Sequence, residues 1–134
     1  MAHILVTGAS GFVGAAVVAA LAARGDQVTA FDVALSPALQ KIAAQHDNVR
    51  PVIGEVTECP TVMALFQADL PDCVFHAAAI VGVVASVRTP LRTFAVNVQG
   101  SINLFEAMRL FGTTRMVHMS SEETYGPFES PVIN

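Results

Sequence analysis

Short apolar runs alternate with helix-like patterns along the whole chain. The apolar runs predict five strands, at residues 3–7, 27–32, 49–53, 73–78 and 114–120. The segments between these strands have helical patterns of apolar and polar residues, so successive strands are joined by helices. Alternation of this kind predicts right-handed crossover connections and an α/β fold built on a doubly wound parallel sheet.

The residues at helix boundaries agree with this arrangement. Ser36 followed by Pro37 is typical of an N-cap and a first helical residue. Pro90 begins the longest predicted helix, and Gly112 ends it. Apolar residues recur along this helix at helical spacing, and we interpret them as a face that packs in the core: Leu91, Phe94, Ala95, Val98, Ile102, Phe105 and Met108.

Three spaced glycines lie between the first strand and the first helix, in the segment TGASGFVG of residues 7–14. Gly8 allows a tight turn, Gly11 lets the backbone approach a pyrophosphate, and Gly14 lets the helix pack closely on the sheet. The positive helix N-terminus and its free N–H groups favour a phosphate there. We therefore assign cofactor binding to Gly8, Ser10, Gly11, Phe12, Val13 and Gly14. An ordinary strand–turn–helix loop is the alternative explanation of the same spacing.

An acidic residue follows at the distance that this interpretation requires. Asp32 ends the second predicted strand, 18 residues after Gly14. In dinucleotide-binding proteins, a carboxylate about 20 residues after the glycines accepts hydrogen bonds from the adenosine ribose hydroxyls. A turn or helix-cap role is the alternative for Asp32. Ala15 and Ala16 follow the last glycine, where a nucleoside triphosphate-binding loop needs Lys and then Ser or Thr. The pattern therefore favours a dinucleotide.

The composition is more apolar than a small independent domain requires. The chain has 134 residues, enough for one domain, and only 13% of them are charged against a usual value of about 25%. Hydrophobic residues make up 53% and the mean hydropathy is +0.55. A parallel sheet covered on both faces explains part of this excess. The rest predicts surface that a partner subunit or further chain covers.

Charge, cysteines and hydropathy exclude several classes of protein. The net charge is −4 and the seven basic residues are scattered, so the sequence has no basic cluster of the kind that binds nucleic acid. Cys59 and Cys73 have neither a CxxC spacing nor a metal-ligand spacing with the four His, and we interpret both as buried reduced thiols, with no metal site. The most apolar stretch, residues 74–87, is shorter than the about 20 residues of a membrane span. We expect a cytoplasmic protein without a membrane or targeting segment.

Taken together, these motifs resemble the N-terminal part of an extended short-chain dehydrogenase/reductase, more narrowly the NAD-dependent epimerase/dehydratase family that modifies nucleotide sugars. The phosphate loop of that family reads TGxxGxxG, as residues 7–14 do. The resemblance implies a Rossmann fold. It also implies that residues 1–134 form an incomplete NAD(P)-binding domain, truncated before the sixth strand and the C-terminal substrate region.

Three further motifs extend the resemblance along the chain. Gly54-Glu55-Val56 resembles a Gly-Asp pair whose carboxylate meets the adenine amino group, with a longer acid here. The segment from His76 to Ala79 resembles a His-x-Ala-Ala strand end that runs beside the cofactor ribose; we interpret His76 itself as a packed core histidine. Residues 97–100 resemble Asn-Val-x-Gly, whose Asn ties the helix to the preceding strand. The cofactor residues implied are Glu55, Val56, Ala77, Ala78, Ala79 and Asn97.

Residues 119–126 resemble the Ser-Ser-x-x-x-Tyr-Gly segment of the family. The resemblance implies that Ser121 hydrogen-bonds the reacting substrate oxygen. Glu122 and Glu123 are either acid and base groups, as in dehydratases and decarboxylases, or solvated loop acids. The family's catalytic Tyr and Lys form a YxxxK motif, but the one tyrosine here, Tyr125, has Glu129 four residues later. We therefore expect a fragment of a longer protein that does not turn over substrate.

The resemblance implies the NAD-binding domain of a nucleotide-sugar epimerase or dehydratase that transfers a hydride transiently to the nicotinamide. Its substrate would be a nucleotide sugar or a related small molecule. The full-length protein would be a homodimer paired through helices, one of them residues 90–111. An NADP-dependent carbonyl reductase is an alternative, although the Asp32 carboxylate repels a 2′-phosphate and no Arg directly follows it. A non-catalytic dinucleotide-binding sensor is the other alternative.

Overall fold

Residues 1–126 are described by a computed structural model. Five parallel strands form one sheet: β1 (His3–Thr7), β2 (Gln27–Asp32), β3 (Val49–Ile53), β4 (Cys73–His76) and β5 (Met116–His118). Their order across the sheet is β3-β2-β1-β4-β5, so the chain reverses its direction of winding between β1 and β4. Ligands of such sheets bind where this reversal occurs. The predicted α/β fold with a doubly wound parallel sheet is confirmed.

Within residues 1–126, six α-helices connect the strands. They are α1 (Phe12–Arg24), α2 (Pro37–Gln45), α3 (Cys59–Ala68), α4 (Val83–Arg88), α5 (Pro90–Phe94) and α6 (Gly100–Phe111). A π-helical turn, Ala95–Gln99, joins α5 to α6, so that residues 90–111 form a continuous helix. A short 3₁₀ helix, Glu122–Tyr125, follows β5. None of the helices in residues 1–126 combines the length and apolar character that a membrane crossing requires.

The sheet has a hydrophobic core on each face, because successive strand residues point to opposite sides. Ile4 and Val6 pack on the side of α1 and α2, whereas Leu5 packs on the side of α3 and α6. Fully burying one such side chain contributes about 1.5–3 kcal/mol. The two cores together contain these buried side chains: Val18, Val28 and Leu39 on the first face, and Phe31, Val62, Phe66, Val74 and Leu104 on the second.

The first three strands have their predicted bounds, whereas β4 and β5 are shorter than predicted. β4 ends at His76 because its partner in β1, Thr7, is the last residue of that strand. The residues after His76 therefore leave the sheet. Within residues 1–126, β5 pairs only with β4, and only from Met116 to His118.

The prediction that the apolar stripe of the long helix packs in the core is wrong for most of it. Met108 is buried, but five other members have exposed fractions of 40% or more: Leu91, Phe94, Val98, Ile102 and Phe105. We call these five residues the apolar face. The buried side instead includes Gly100, where a Cβ atom would lie 2.6 Å from Val56. A small residue there allows the helix to approach the loop after β3 closely, and apolar spacing alone does not distinguish the two sides of the helix.

Two smaller predictions concern caps and thiols. The Ser36 hydroxyl accepts a hydrogen bond from the Leu39 N–H at 3.2 Å, which confirms the predicted N-cap. Both cysteines are free, as predicted, but Cys59 is exposed and Cys73 is only partly buried. The burial prediction is wrong for Cys59 because it lies in the first turn of α3, on the solvent side.

Candidate functional site

A cleft of about 440 Å³ opens at the carboxyl ends of the strands, where ligands bind in sheets of this order. The loops after β1, β2, β3 and β4 all contribute to it, and the long helix closes one side. The lining residues are Gly8, Ser10, Gly11, residues 31–36, residues 54–57, residues 77–80, Arg92 and Val96. The cleft thus brings together predicted cofactor residues from four separate segments of the chain.

The glycine loop has the geometry that its predicted role requires. Gly8 has a φ angle of +69°, and a Cβ atom there would lie 2.6 Å from the backbone carbon of Ala77. A Cβ atom on Gly14 would lie 2.0 Å from the Gly8 carbonyl oxygen, so helix α1 packs directly on the loop. Gly11 is the N-cap of α1, and among the described residues no side chain caps this helix. Its first N–H groups are therefore available to a ligand.

Phe12, Val13 and Gly14 do not line the cleft. The Phe12 side chain is 96% exposed, and these three residues form the first turn of α1. Any contribution that they make to binding is through their backbone N–H groups.

Asp32 connects the glycine loop to the end of β2. Its Oδ2 accepts from the Ser10 N–H at 2.8 Å, and its Oδ1 accepts from the Val33 N–H at 2.7 Å. The Ser10 hydroxyl in turn donates to the Ala34 carbonyl at 2.6 Å and accepts from the Ser36 N–H at 3.0 Å. A carboxylate offers about four acceptor positions. Asp32 is therefore fixed at the cleft with capacity to accept from two further hydroxyls.

An ion pair lies on the β3 side of the cleft. Glu55 Oε2 accepts from Arg92 Nη1 at 2.9 Å and from the Thr57 hydroxyl at 3.0 Å. The hydrogen bond from Arg92 holds the pKa of Glu55 below its usual value, and the same bond raises the pKa of Arg92. Sequence analysis missed Arg92 and Thr57 as site residues. No local spacing indicates Arg92, because α5 meets the loop after β3 only through tertiary packing.

The wall of the cleft after β4 consists of Ala77, Ala78, Ala79 and Ile80. Asn97 does not line the cleft but fixes this wall. Its amide donates to the Ile80 carbonyl at 3.0 Å, and its Oδ1 accepts from the Ile80 N–H at 2.8 Å. Asn97 lies in the π-helical turn, a feature that is frequent at functional sites.

His76 is part of a buried polar network behind this wall. Only 2% of the residue is exposed, and its Nδ1 and Nε2 lie 2.6 Å from Thr7 Oγ1 and 3.0 Å from Ser101 Oγ. The Ser101 hydroxyl donates to the Asn97 carbonyl, so it accepts from His76 Nε2–H, and Nδ1 accepts from Thr7. Burial, with a smaller effect of His118, lowers the pKa of His76 from 6.5 to about 4. The prediction of a packed core histidine is confirmed.

The three predicted catalytic residues lie after β5 and do not line the cleft. Ser121 is the N-cap of the 3₁₀ helix, and its Oγ accepts from the Glu123 N–H at 3.3 Å. Glu122 and Glu123 form the exposed first turn of that helix. Ser121, Glu122 and Glu123 thus form a second group, separate from the cofactor residues. Glu129, which follows Tyr125 by four residues, lies outside the described residues.

Comparisons with known proteins agree with this geometry. The sequence model of the NAD dependent epimerase/dehydratase family matches residues 4–134. The chain is 37% identical over 125 residues to a 3-beta-hydroxysteroid dehydrogenase of Mycolicibacterium neoaurum, covering 90% of this chain and 32% of the relative. It is 32% identical over 131 residues to a UDP-glucose 4-epimerase of Pisum sativum, and this match covers 92% of this chain and 37% of the relative. The chain thus spans about a third of the length of these relatives.

A solved structure shares the fold closely. It is the UDP-glucose-4-epimerase of Stenotrophomonas maltophila with bound NAD and formylated UDP-arabinopyranose. The TM-score is 0.88 at 30% sequence identity, and the match covers 98% of this chain and 41% of that one.

Proposed function

Because this chain belongs to the NAD dependent epimerase/dehydratase family, we propose that it is the NAD-binding domain of an enzyme that oxidises its substrate transiently by hydride transfer. The position of the Asp32 carboxylate is the observation on which the proposal mainly depends. Its carboxylate is held by the Ser10 and Val33 N–H groups at a cleft whose phosphate loop leaves room only for glycine at position 8.

The cleft residues fit a dinucleotide segment by segment. Gly8, Gly11 and the N-terminus of α1 would hold the pyrophosphate, with N–H groups from Phe12 and Val13. Asp32 would accept from the adenosine ribose hydroxyls, and Glu55 with Val56 would meet the adenine. Ala77, Ala78 and Ala79 would run beside the second ribose, held by Asn97. NAD, when bound, supplies the hydride acceptor of the reaction.

Ser121, Glu122 and Glu123 are the proposed substrate-side residues. The Ser121 hydroxyl would orient and polarise the reacting oxygen, and the two carboxylates would move a proton at the neighbouring carbon. The sequence contains a single tyrosine, Tyr125, and Glu129 stands where a YxxxK motif would place Lys. We propose that these 134 residues bind the cofactor without turning over substrate.

The proposed substrate is a nucleotide sugar, which the likeness to UDP-glucose 4-epimerases supports. A 3β-hydroxysteroid is the second candidate, because the M. neoaurum dehydrogenase has the higher identity, 37%. Both classes present a secondary hydroxyl for oxidation. Saturation-transfer NMR of the NAD-loaded full-length protein, with its substrate region, would separate them: UDP-glucose should receive magnetisation from the protein, and transfer to a 3β-hydroxysteroid alone would favour the second candidate.

The proposed assembly is a homodimer of the full-length protein, paired through helices, one of them residues 90–111. The apolar face of this helix supports the proposal, because large apolar side chains at helical spacing are typical of interfaces.

Calorimetric titration of the folded chain with NAD and with NADP tests the cofactor proposal. We expect one NAD per chain, and NADP at least about tenfold weaker because the Asp32 carboxylate repels a 2′-phosphate. Equal or tighter NADP binding would favour the carbonyl reductase alternative. A folded chain that binds neither dinucleotide would refute the proposed function.

A further inference from the structure

The ion pair between Glu55 and Arg92 stands where the base of a dinucleotide would lie. With the pyrophosphate at the glycine loop and the ribose on Asp32, the base extends from the end of β2 towards the end of β3. Glu55 follows β3, and both members of the pair line the cleft there. Their side chains are 38% and 46% exposed, so a ligand can reach them.

The hydrogen bonds of Glu55 are distributed unevenly over its two oxygens. Oε2 accepts from both Arg92 Nη1, at 2.9 Å, and the Thr57 hydroxyl, at 3.0 Å. Oε1 accepts no hydrogen bond from residues 1–126. A carboxylate held in this way has one oxygen fixed by the protein and one that can still accept from further donors.

Arg92 matters because Glu is a long and flexible acid. A free Glu side chain loses rotamer entropy when it is fixed, and this loss would weaken any bond that it makes to a ligand. Thr57 and Arg92 approach Oε2 from different elements, the loop after β3 and helix α5, so together they restrict the carboxylate before any ligand binds. Hydrogen bonding to Arg92 also lowers the pKa of Glu55, which keeps the group an ionised acceptor.

We propose that Arg92 is a positioning residue that holds Glu55 so that Oε1 accepts the exocyclic amino group of adenine. The pair thereby selects a 6-amino purine over a 6-oxo purine. This inference rests on the proposed NAD-binding function, and it adds a determinant of base selectivity that lies on a different element from the acid itself.

The test compares NAD with nicotinamide hypoxanthine dinucleotide, in which an oxygen replaces the adenine amino group. Calorimetry on the full chain should give at least about tenfold tighter binding of NAD, as expected for a hydrogen bond to a charged acceptor. Arg92→Gln should reduce this ratio by about threefold or more, mainly through weaker NAD binding. Arg92→Lys, which can still pair with Glu55, should retain most of the ratio.

The chain offers a matched control on the same helix. Arg109 forms an ion pair with Glu106 at 2.6 Å, exposed and away from the cleft lining. Arg109→Gln removes a similar ion pair and should leave the selectivity ratio unchanged. Circular dichroism of each variant establishes that the chain is folded.

Each outcome has one meaning. If Arg92→Gln binds NAD with the wild-type ratio, or weakens both dinucleotides equally, the positioning role is refuted while the proposed function stands. A wild-type chain that binds both dinucleotides equally also refutes it. If no folded variant binds NAD, both the inference and the proposed function fail.

Discussion

Asp32 lies where the glycine loop meets the end of β2, and each of its oxygens already accepts a backbone N–H. The protein thus orients the carboxylate before a ligand arrives, which reduces the entropy lost on binding. Charge-assisted hydrogen bonds from ribose hydroxyls would then add to affinity.

Asp32→Ala should weaken NAD binding by about 1.5–3 kcal/mol, or roughly 10- to 100-fold, because the bonds to a charged acceptor are lost. Calorimetry measures the change. Asp47→Ala, which removes an exposed carboxylate after α2, is the control and should leave the affinity unchanged. An unchanged affinity in the Asp32 variant would remove Asp32 from the site.

His76 makes the stability of the chain depend on pH. Its pKa is about 4 in the folded chain and 6.5 when unfolded, so the folded chain binds fewer protons between these values. The contribution of His76 to the free energy of unfolding should therefore be greatest above about pH 7. It should fall by on the order of 3 kcal/mol as the pH decreases to about 4.

Urea unfolding at a series of pH values measures this slope. His76→Gln keeps hydrogen-bonding groups but cannot titrate, so its unfolding free energy should change little between about pH 7 and pH 5. Asp26, Glu55 and Glu106 also have lowered pKa values. Their protonation affects the stability of both proteins equally, and it occurs at lower pH. Equal slopes in the two proteins over the His76 range would contradict the assignment.

At the residue scale, sequence analysis could identify groups whose roles depend on local spacing. The positive φ of Gly8, the contact of Gly14 with the loop and the position of Asp32 all follow from one strand–loop–helix segment. Arg92 could not be identified in this way. Its contact with Glu55 arises from the packing of α5 against the loop after β3, which no short sequence pattern encodes. The Thr57–Glu55 bond is local, but no motif in this segment indicates it.

At the scale of elements, the π-helical turn shapes the wall of the cleft. It places Asn97 so that the side-chain NH₂ and the side-chain oxygen both bond the backbone of Ile80. The Ser101 hydroxyl donates to the backbone carbonyl of Asn97. The helix, the wall and the His76 network are thereby connected, so the wall depends on the helix for its position.

Asn97→Ala should lower the free energy of unfolding by about 1–3 kcal/mol, because two hydrogen bonds are lost. Amide hydrogen exchange should show faster exchange at Ile80. Gln99→Ala is the control, because Gln99 is exposed and its side-chain amide donates to Asn103 within the same helix, not to Ile80. Unchanged protection of Ile80 in the Asn97 variant would show that the helix does not hold the wall.

Sequence patterns predicted the elements better than their faces. Strands β1, β2 and β3 and the caps at Ser36 and Gly112 follow from local residue types. β4 and β5 end where their pairing partners end, which depends on the assembled sheet. Apolar residues recur on two sides of the long helix, and only the sheet determines which side is buried.

At the scale of the whole molecule, the apolar face accounts for part of the excess hydrophobicity of the chain. Leu91, Phe94 and Ile102 are 86%, 61% and 50% exposed on one continuous helix. Exposed apolar patches of this kind mark interaction surfaces. The composition predicted such a surface, but only the structure locates it.

Replacing both Phe94 and Ile102 with Ser should weaken self-association of the full-length protein, because these side chains would be buried between two copies. Sedimentation velocity over a range of protein concentrations measures this. Leu70→Ser is the control, since Leu70 is 52% exposed but lies after α3, away from the apolar face. A wild-type full-length protein that stays monomeric at every concentration would contradict the proposed pairing.

The central claim, that the cleft beside the glycine loop binds NAD, is tested most directly by ¹⁵N-resolved NMR of the chain during titration with NAD. We expect the largest chemical-shift changes at the amides of Gly8, Ser10, Gly11 and Val33, which surround the phosphate loop and Asp32. Changes confined to residues outside the cleft, or no changes in a folded chain, would contradict it.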